Sequence, residues 1–279
     1  MNADTSPLPR RDFIRTLSVA LPAFSALAAH AQQAPAPRPK QDMKHDMSAM
    51  PATWIGSEVI VMLLYPQFTA LDLLGPQYFL ASLMGAKVLL VAKDSAPVAC
   101  DTGVKMLPDI TFEQCPEKLD LLCVPGGSSG TLAAMQDEAT LRFVREKGAS
   151  ARMAASVCTG SLLLGAAGLL QGRKATSHWL VKDLLPRFGA TPVEDRVVED
   201  GRVITAAGVT AGLDLGLHLT LKWRDRLYAE SMALLAEYAP APPVQAGDPA
   251  RSPAQAVELM RAMLAGFHQK VSDAYPAPR

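Results

Sequence analysis

Four apolar runs dominate the sequence: Glu58–Tyr65 (EVIVMLLY), Ala86–Ala92 (AKVLLVA), Leu119–Val124 (LDLLCV) and Arg152–Val157 (RMAASV). None alternates apolar with polar residues, so each reads as a strand buried on both faces. Strands of that kind belong to a parallel sheet covered by helices on each side. Helical stretches lie between and beyond them. Pro76–Leu83 opens on Gly75-Pro76, and proline suits a first helical turn. Glu138–Gly148 ends in a glycine stop. Thr159–Leu170 follows the fourth strand directly, Trp179–Phe188 ends at Gly189, and Thr210–Glu237 repeats its apolar positions at helical spacing. Between Arg196 and Thr205 the sequence reads as a hairpin about Asp200-Gly201. Alternating strand and helix predicts an α/β domain with a doubly wound, mainly parallel sheet and helices on both faces.

The domain is expected to span residues 54–238. Residues 239–279 follow as a Pro-rich connector, Ala239–Pro253, and a final helix, Ala254–Ser272. Ahead of the domain, residues 1–31 have the three parts of an export signal: Arg10 and Arg11, a mildly apolar stretch, and the small-x-small triplet Ala29-His30-Ala31. Arg10-Arg11-Asp12-Phe13 resembles a twin-arginine signal. That predicts transient use of the twin-arginine export machinery and a periplasmic destination. The apolar stretch is shorter than the ~20 residues of a spanning helix, and Pro22 interrupts it, so no stable membrane anchor is expected. Residues 32–53 read as a flexible leader, whose Met43, His45, Met47 and Met50 have the softness but not the regular spacing of a copper site. The formal net charge of zero gives no electrostatic reason to expect a nucleic-acid partner. Four cysteines are too few for a disulfide framework. Cys100 and Cys115 are the pair that an oxidising compartment would allow to bridge, whereas Cys123 lies within a buried strand.

Ligands of doubly wound sheets sit beyond the carboxyl ends of the strands. Val157-Cys158-Thr159-Gly160-Ser161 passes from strand to helix without a spacer, which puts Cys158 on a sharp turn as in a nucleophile elbow. A thiol at a helix N-terminus is expected to lean towards the thiolate, beside the alternative of a buried structural cysteine. Val124-Pro125-Gly126-Gly127-Ser128 follows the third strand. Its glycines allow close backbone approach, with the N–H groups of Gly126 and Gly127 aimed at developing negative charge, beside the alternative of a plain turn. Asp72 is the only charged residue between Glu58 and Lys87. Its apolar setting predicts a raised pKa and a role in proton transfer, beside the alternative of a plain N-terminal helix acid. Asp214 and His218, four apart on one helix, could pair.

The stretch from Ile60 to about Trp223 resembles the ThiJ/PfpI family, within the class I glutamine amidotransferase-like superfamily. The resemblance rests on Asp72–Pro76 (DLLGP), Cys115–Gly127 (CPEKLDLLCVPGG), Val157–Ser161 (VCTGS) with Leu169–Arg173 (LLQGR), and Lys174–Trp179 (KATSHW). Its isonitrile hydratase-like branch is the most similar. The resemblance implies a flavodoxin-like fold, a homodimer, a small-molecule substrate and no metal or organic cofactor. It further implies a nucleophilic Cys158 paired with Asp72, an adjacent catalytic Thr159 whose hydroxyl would orient water or the Asp72 carboxyl, a site glycine at Gly127 and a histidine, His178, near the nucleophile, where a structural histidine beside the dimer interface is the alternative. Peptidase members carry His directly after the nucleophile, where this chain has Thr159. Glyoxal-processing members commonly have Glu at the position of Asp72. The expected chemistry is hydration of an isonitrile to an N-substituted formamide. Glyoxal processing, other hydrolysis or a redox-sensing thiol in a non-enzymatic dimer are its alternatives.

Overall fold

A computed structural model describes residues 50–276. The expected export signal, the first part of the expected leader with Met43, His45 and Met47, and residues 277–279 lie outside the described residues.

In chain order the elements are β1 Val59–Leu63, α1 Ala70–Ala81, β2 Lys87–Ala92, β3 Val98–Ala99, β4 Lys105–Met106, β5 Ile110–Thr111, β6 Leu121–Val124, α2 Ser129–Gln136, α3 Glu138–Ser150 and β7 Met153–Val157. Then follow α4 Gly160–Ala166, β8 Lys174–Ala175, β9 Thr191–Pro192, β10 Val197–Asp200, β11 Val203–Ala206, α5 Ala211–Trp223, α6 Arg226–Leu235 and α7 Ala254–Ala274. Seven strands form one sheet in the order β10-β11-β7-β6-β1-β2-β5. All pairings in it are parallel except that of β10 with β11. This is the doubly wound α/β architecture that the continuous apolar runs imply. The central strands β6 and β7 are buried at every residue, because helices cover both faces.

The order of the strands locates the working crevice. From β1 the chain steps outwards to β2 and β5, then returns to the other side of β1 as β6. The loops leaving β1 and β6 therefore part in opposite directions, which opens a crevice at their carboxyl ends. β7 lies beside β6, in the register Cys123↔Ala155, so its own carboxyl end opens on the same crevice.

Several helices differ from the sequence expectation, each for a tertiary reason. α1 starts at Ala70, so Pro76 lies within it and not in its first turn. The proline ring packs on α5 at two glycines: a Cβ on Gly212 would stand 2.9 Å from Pro76 Cδ, and one on Gly216 3.0 Å from Pro76 Cα. The expected long helix from Thr210 to Glu237 is two, α5 and α6. Arg224 leaves helical geometry, with φ −122° and ψ −134°, and Asp225 caps α6 by accepting from the Tyr228 N–H at 2.8 Å. The expected Trp179–Phe188 helix shrinks to a 3-10 segment, Lys182–Phe188, and the helix after the fourth strand stops at Ala166. α2 and the two-residue strands β3, β4, β5, β8 and β9 lie outside the elements that the sequence predicts. The hairpin β10–β11 and the helix α7 fall where expected, and α7 docks through its last turns. Val271 is buried there, Arg187 donates to the Ser272 and Tyr275 carbonyls, and Tyr275 Oη donates to Met135 O at 3.0 Å.

Candidate active site

β7 ends at Val157, and the next residue turns the chain. Cys158 has φ 60°, in the left-handed region that L residues avoid at a cost of about 1–2 kcal/mol. Neighbours hold it there. Its N–H donates to Ala207 O at 2.8 Å and to Ala206 O at 3.1 Å. Its carbonyl accepts from Ser177 Oγ at 3.0 Å and Ser161 Oγ at 3.2 Å. Gly160 is needed for closeness, since a Cβ there would strike the carbonyl oxygens of Val124 and Pro125. The left-handed turn is made by Cys158 itself. The elbow thus brings the end of β7 against the loop after β6.

Asp72 enters the same crevice from the first turn of α1 and is fully buried. Its Oδ2 accepts the Gly126 N–H at 2.9 Å. Its Oδ1 has no hydrogen-bond partner among the described residues. The carboxyl adjoins the Cys158 thiol closely enough for each group to shift the other's ionisation. Burial raises the Asp72 pKa to about 7, against the lowering effect of the Gly126 N–H and of Cys158.

The thiol departs from expectation. Burial, and then the Asp72 charge, push the Cys158 pKa up, well above the ordinary thiol value, although the Val209 and Thr159 N–H groups face the sulfur. A short helix, α4, lies behind the elbow, and its dipole does not offset desolvation together with a carboxylate alongside. Of the two groups it is the thiol that holds its proton more firmly, since burial and the adjacent carboxylate both push its pKa up.

The glycines also act differently from expectation. The Gly126 N–H is engaged by Asp72, and the Gly127 N–H donates to Thr159 Oγ1 at 2.9 Å. Neither is left to stabilise charge on a substrate. Thr159 Oγ1 lies 2.8 Å from Thr131 Oγ1, which lies 3.0 Å from Tyr65 Oη, and Tyr65 donates to Pro125 O at 2.7 Å. Each hydroxyl has one proton, so the direction is fixed. Tyr65 gives to Pro125, Thr131 to Tyr65, and Thr159 to Thr131. The ring begins and ends on the Pro125–Gly127 loop and ties it to the elbow. Thr159 is consequently a strut whose hydroxyl proton is committed, and its N–H is the part that faces the sulfur. Substitution of either loop glycine is blocked: a Cβ on Gly126 would lie 2.6 Å from Thr159 N and 2.7 Å from Asp72 Oδ2, and one on Gly127 2.5 Å from Gln67 O.

His178 is half-buried beside Gly208, where an added Cβ would stand 2.7 Å from its Cδ2. Its Nδ1 accepts the Leu180 N–H at 3.3 Å, and burial lowers its pKa. It is therefore a neutral side chain near the Ala206–Val209 segment behind the elbow, with no hydrogen bond to Cys158. His218 pairs with Glu199 at 2.9 Å, and Asp214 with Arg196, so these two do not pair with each other. Cys100, Cys115 and Cys123 are buried free thiols, and Cys123 is pushed up to about 12 by burial. Among the described residues no cluster of three or more His, Cys, Asp or Glu side chains could hold a metal ion. Tyr65, Thr131 and Val209 complete the site without a motif to mark them in the sequence, whereas Ser161 and Ser177, which hold the Cys158 carbonyl, stand in the VCTGS and KATSHW blocks.

The profile of the DJ-1/PfpI family matches residues 58–221. The chain is 51% identical over 202 residues to an isonitrile hydratase from Pseudomonas putida, an alignment covering 72% of this chain and 88% of that protein. It is 28% identical over 148 residues to a deglycase from Pyrococcus horikoshii, covering 53% of this chain and 88% of that one. A crystal structure of a ThiJ/PfpI family protein from Pseudomonas syringae superimposes with a TM-score of 0.79 at 48% identity, over 86% of this chain and 98% of that chain. Drosophila melanogaster DJ-1beta, at 23% identity and a TM-score of 0.61 over 66% of this chain and all of its own, shares the fold. On the length of the match and the shared architecture, the chain belongs to the DJ-1/PfpI family.

Proposed function

We propose that this chain is a cysteine-dependent enzyme that hydrates isonitriles to N-substituted formamides. The observation that carries the reading is the buried Asp72–Cys158 pair, with one carboxylate oxygen unpartnered beside a thiol that keeps its proton. The 51% identity to an isonitrile hydratase supports the choice of substrate class.

Addition to an isonitrile needs a proton and a nucleophile delivered to one carbon. The pair holds both. The S–H proton passes to Asp72 Oδ1 and on to the isonitrile carbon as sulfur bonds to that carbon, which leaves a thioimidate. Asp72, a carboxylate again, takes a proton from water while the hydroxyl adds to the same carbon, and then returns that proton to nitrogen. The new C–OH gives its proton to Asp72, the C–S bond breaks, the formamide leaves and the thiolate recovers the proton. Overall one water is consumed, and one carboxyl group alternates between acid and base. The Val209 and Thr159 N–H groups stabilise the sulfur whenever it carries charge.

A redox-sensing thiol in a non-enzymatic dimer fits less well, because selective oxidation favours an exposed thiolate and Cys158 is buried and protonated. We place the working protein in the periplasm as a homodimer. The location rests on the sequence of residues 1–31, and the assembly on the habit of the family.

The test is incubation with a simple alkyl isonitrile, with the formamide followed by NMR. Turnover is expected from the parent protein. Cys158→Ala is expected to fold normally and show none. A Cys158→Ala protein that still forms formamide removes the cysteine from the mechanism.

A further inference from the structure

The segment that delivers Asp72 to the crevice is held from outside the main sheet. Between β1 and α1 the chain makes a strained turn at Gln67, with φ 64°. The hairpin β3–β4 grips this turn: the Gln67 N–H donates to Ala99 O and the Asp101 N–H to Phe68 O, both at 2.9 Å. Thr69, the N-cap of α1, makes no side-chain capping bond. Asp101 supplies one instead, its Oδ1 accepting the Ala70 N–H at 3.3 Å. A carboxylate therefore sits at the positive end of α1, two residues before the acid.

The ionisable groups facing the Asp72 carboxyl come from every side of the crevice. They are Cys158 from the elbow, Cys123 from β6, Tyr65 from the end of β1, and Asp101 from the hairpin. The two thiols and the phenol keep their protons, so Asp101 is the one formal charge among them.

We propose that Asp101 is a positioning residue for Asp72, fixing the first turn of α1 and keeping a second negative charge near its carboxyl. The inference rests on the proposed function only in taking Asp72 as the working acid. The cap sets where the carboxyl stands, and the charge favours its protonated form, which the proton relay needs in alternation with the carboxylate.

Two substitutions separate the roles. Asp101→Asn keeps an oxygen for the Ala70 N–H and removes the charge, and Asp101→Ala removes both. The readout is the titration of the Asp72 carboxyl carbon by carbon-13 NMR, with the resonance assigned from its loss in Asp72→Asn. At low salt the midpoint is expected to fall by about 0.3–0.5 pH unit in both Asp101 variants, the order expected of a charge acting through a solvent-like dielectric. In roughly 1 M salt the difference should collapse. With an alkyl isonitrile, kcat of Asp101→Ala should lie below that of Asp101→Asn, and the rising limb of the pH profile should move with the NMR midpoint. Identical Asp72 titration in the parent and Asp101→Asn at low salt overturns the proposal, as does equal kcat in the two variants. Absence of turnover in the parent protein would defeat the proposed function, and the carboxyl titration would then decide the role of Asp101 alone.

Discussion

Glu58 precedes β1, and Asp72 lies one loop and the start of a helix beyond its other end. Glu58 meets the Arg224 guanidinium through both oxygens, at 2.6 and 2.9 Å, and Arg224 also donates to the Trp54 and Met84 carbonyls. The side chains of Arg224 and Glu58 are only 2% and 13% exposed, and the cation holds the Glu58 carboxyl below its ordinary pKa. Asp72 is buried with one backbone donor, no facing cation and an idle oxygen, and its pKa rises. The difference shows where the fold secures itself and where it stays chemically unsettled. A paired carboxylate is inert because each of its bonds is answered. An unanswered one exchanges protons, and a thiol lies within its reach.

The contrast is tested hardest at Asp72. Asp72→Asn keeps the shape and an acceptor for the Gly126 N–H but ends proton exchange. It should lower kcat/KM for isonitrile hydration by about 10²–10⁴, the usual share of a positioned acid–base group. The same substitution should raise stability at neutral pH and above. In the folded protein Asp72 titrates at about 7, against an ordinary 3.8. The folded state therefore binds more protons than the unfolded state between those values. The contribution of this group to stability then declines as pH rises from about 4 to about 7, by up to roughly 4 kcal/mol, and stays low above that. Urea unfolding at a series of pH values should show this slope in the parent protein and a weaker one in Asp72→Asn. A variant that is less stable than the parent at pH 8 would break the contrast.

Glu58→Gln should behave in the opposite way. It leaves Arg224 buried without its counter-charge and should cost roughly 3–5 kcal/mol, with little effect on kcat in the protein that remains folded. Denaturant unfolding measures the first and active-site-normalised kinetics the second. A large loss of kcat at full folding would mean that the two ends of β1 are coupled.

The strands and the Asp72–Cys158 pair were legible because local rules governed them. Continuous apolar runs mark buried parallel strands, and an isolated Asp in an apolar stretch or a Cys between strand and helix stands out on its own. What escaped depended on distant partners. The break between α5 and α6 follows from Arg224 reaching back to Glu58, and Pro76 is tolerated inside α1 because Gly212 and Gly216 receive it. β3 and β4 are two residues each, too short to show a period, yet they grip the loop before Asp72. The Cys158 shift runs against the helix-end expectation because that argument is local, whereas desolvation is set by everything packed around the sulfur. Thr131 and Tyr65 lacked any signal, since a hydroxyl ring is defined only when its members meet.

That ring gives the mildest test. Tyr65→Phe removes the last O–H, which leaves the Pro125 carbonyl without its donor and Thr131 without its acceptor. Two buried polar groups would lose partners, at a cost of about 1–3 kcal/mol in unfolding experiments. The Pro125–Gly127 loop and Thr159 would then be free to shift, and the Thr159 N–H with them. kcat should fall roughly three- to tenfold with little change in KM, because the sulfur would be less well placed while the substrate's organic group binds as before. Thr131→Val cuts the same ring at another link and should match Tyr65→Phe in kcat, and the double variant should add little to either. Independent, additive losses would show that the hydroxyls pack the crevice separately and that no ring governs the elbow.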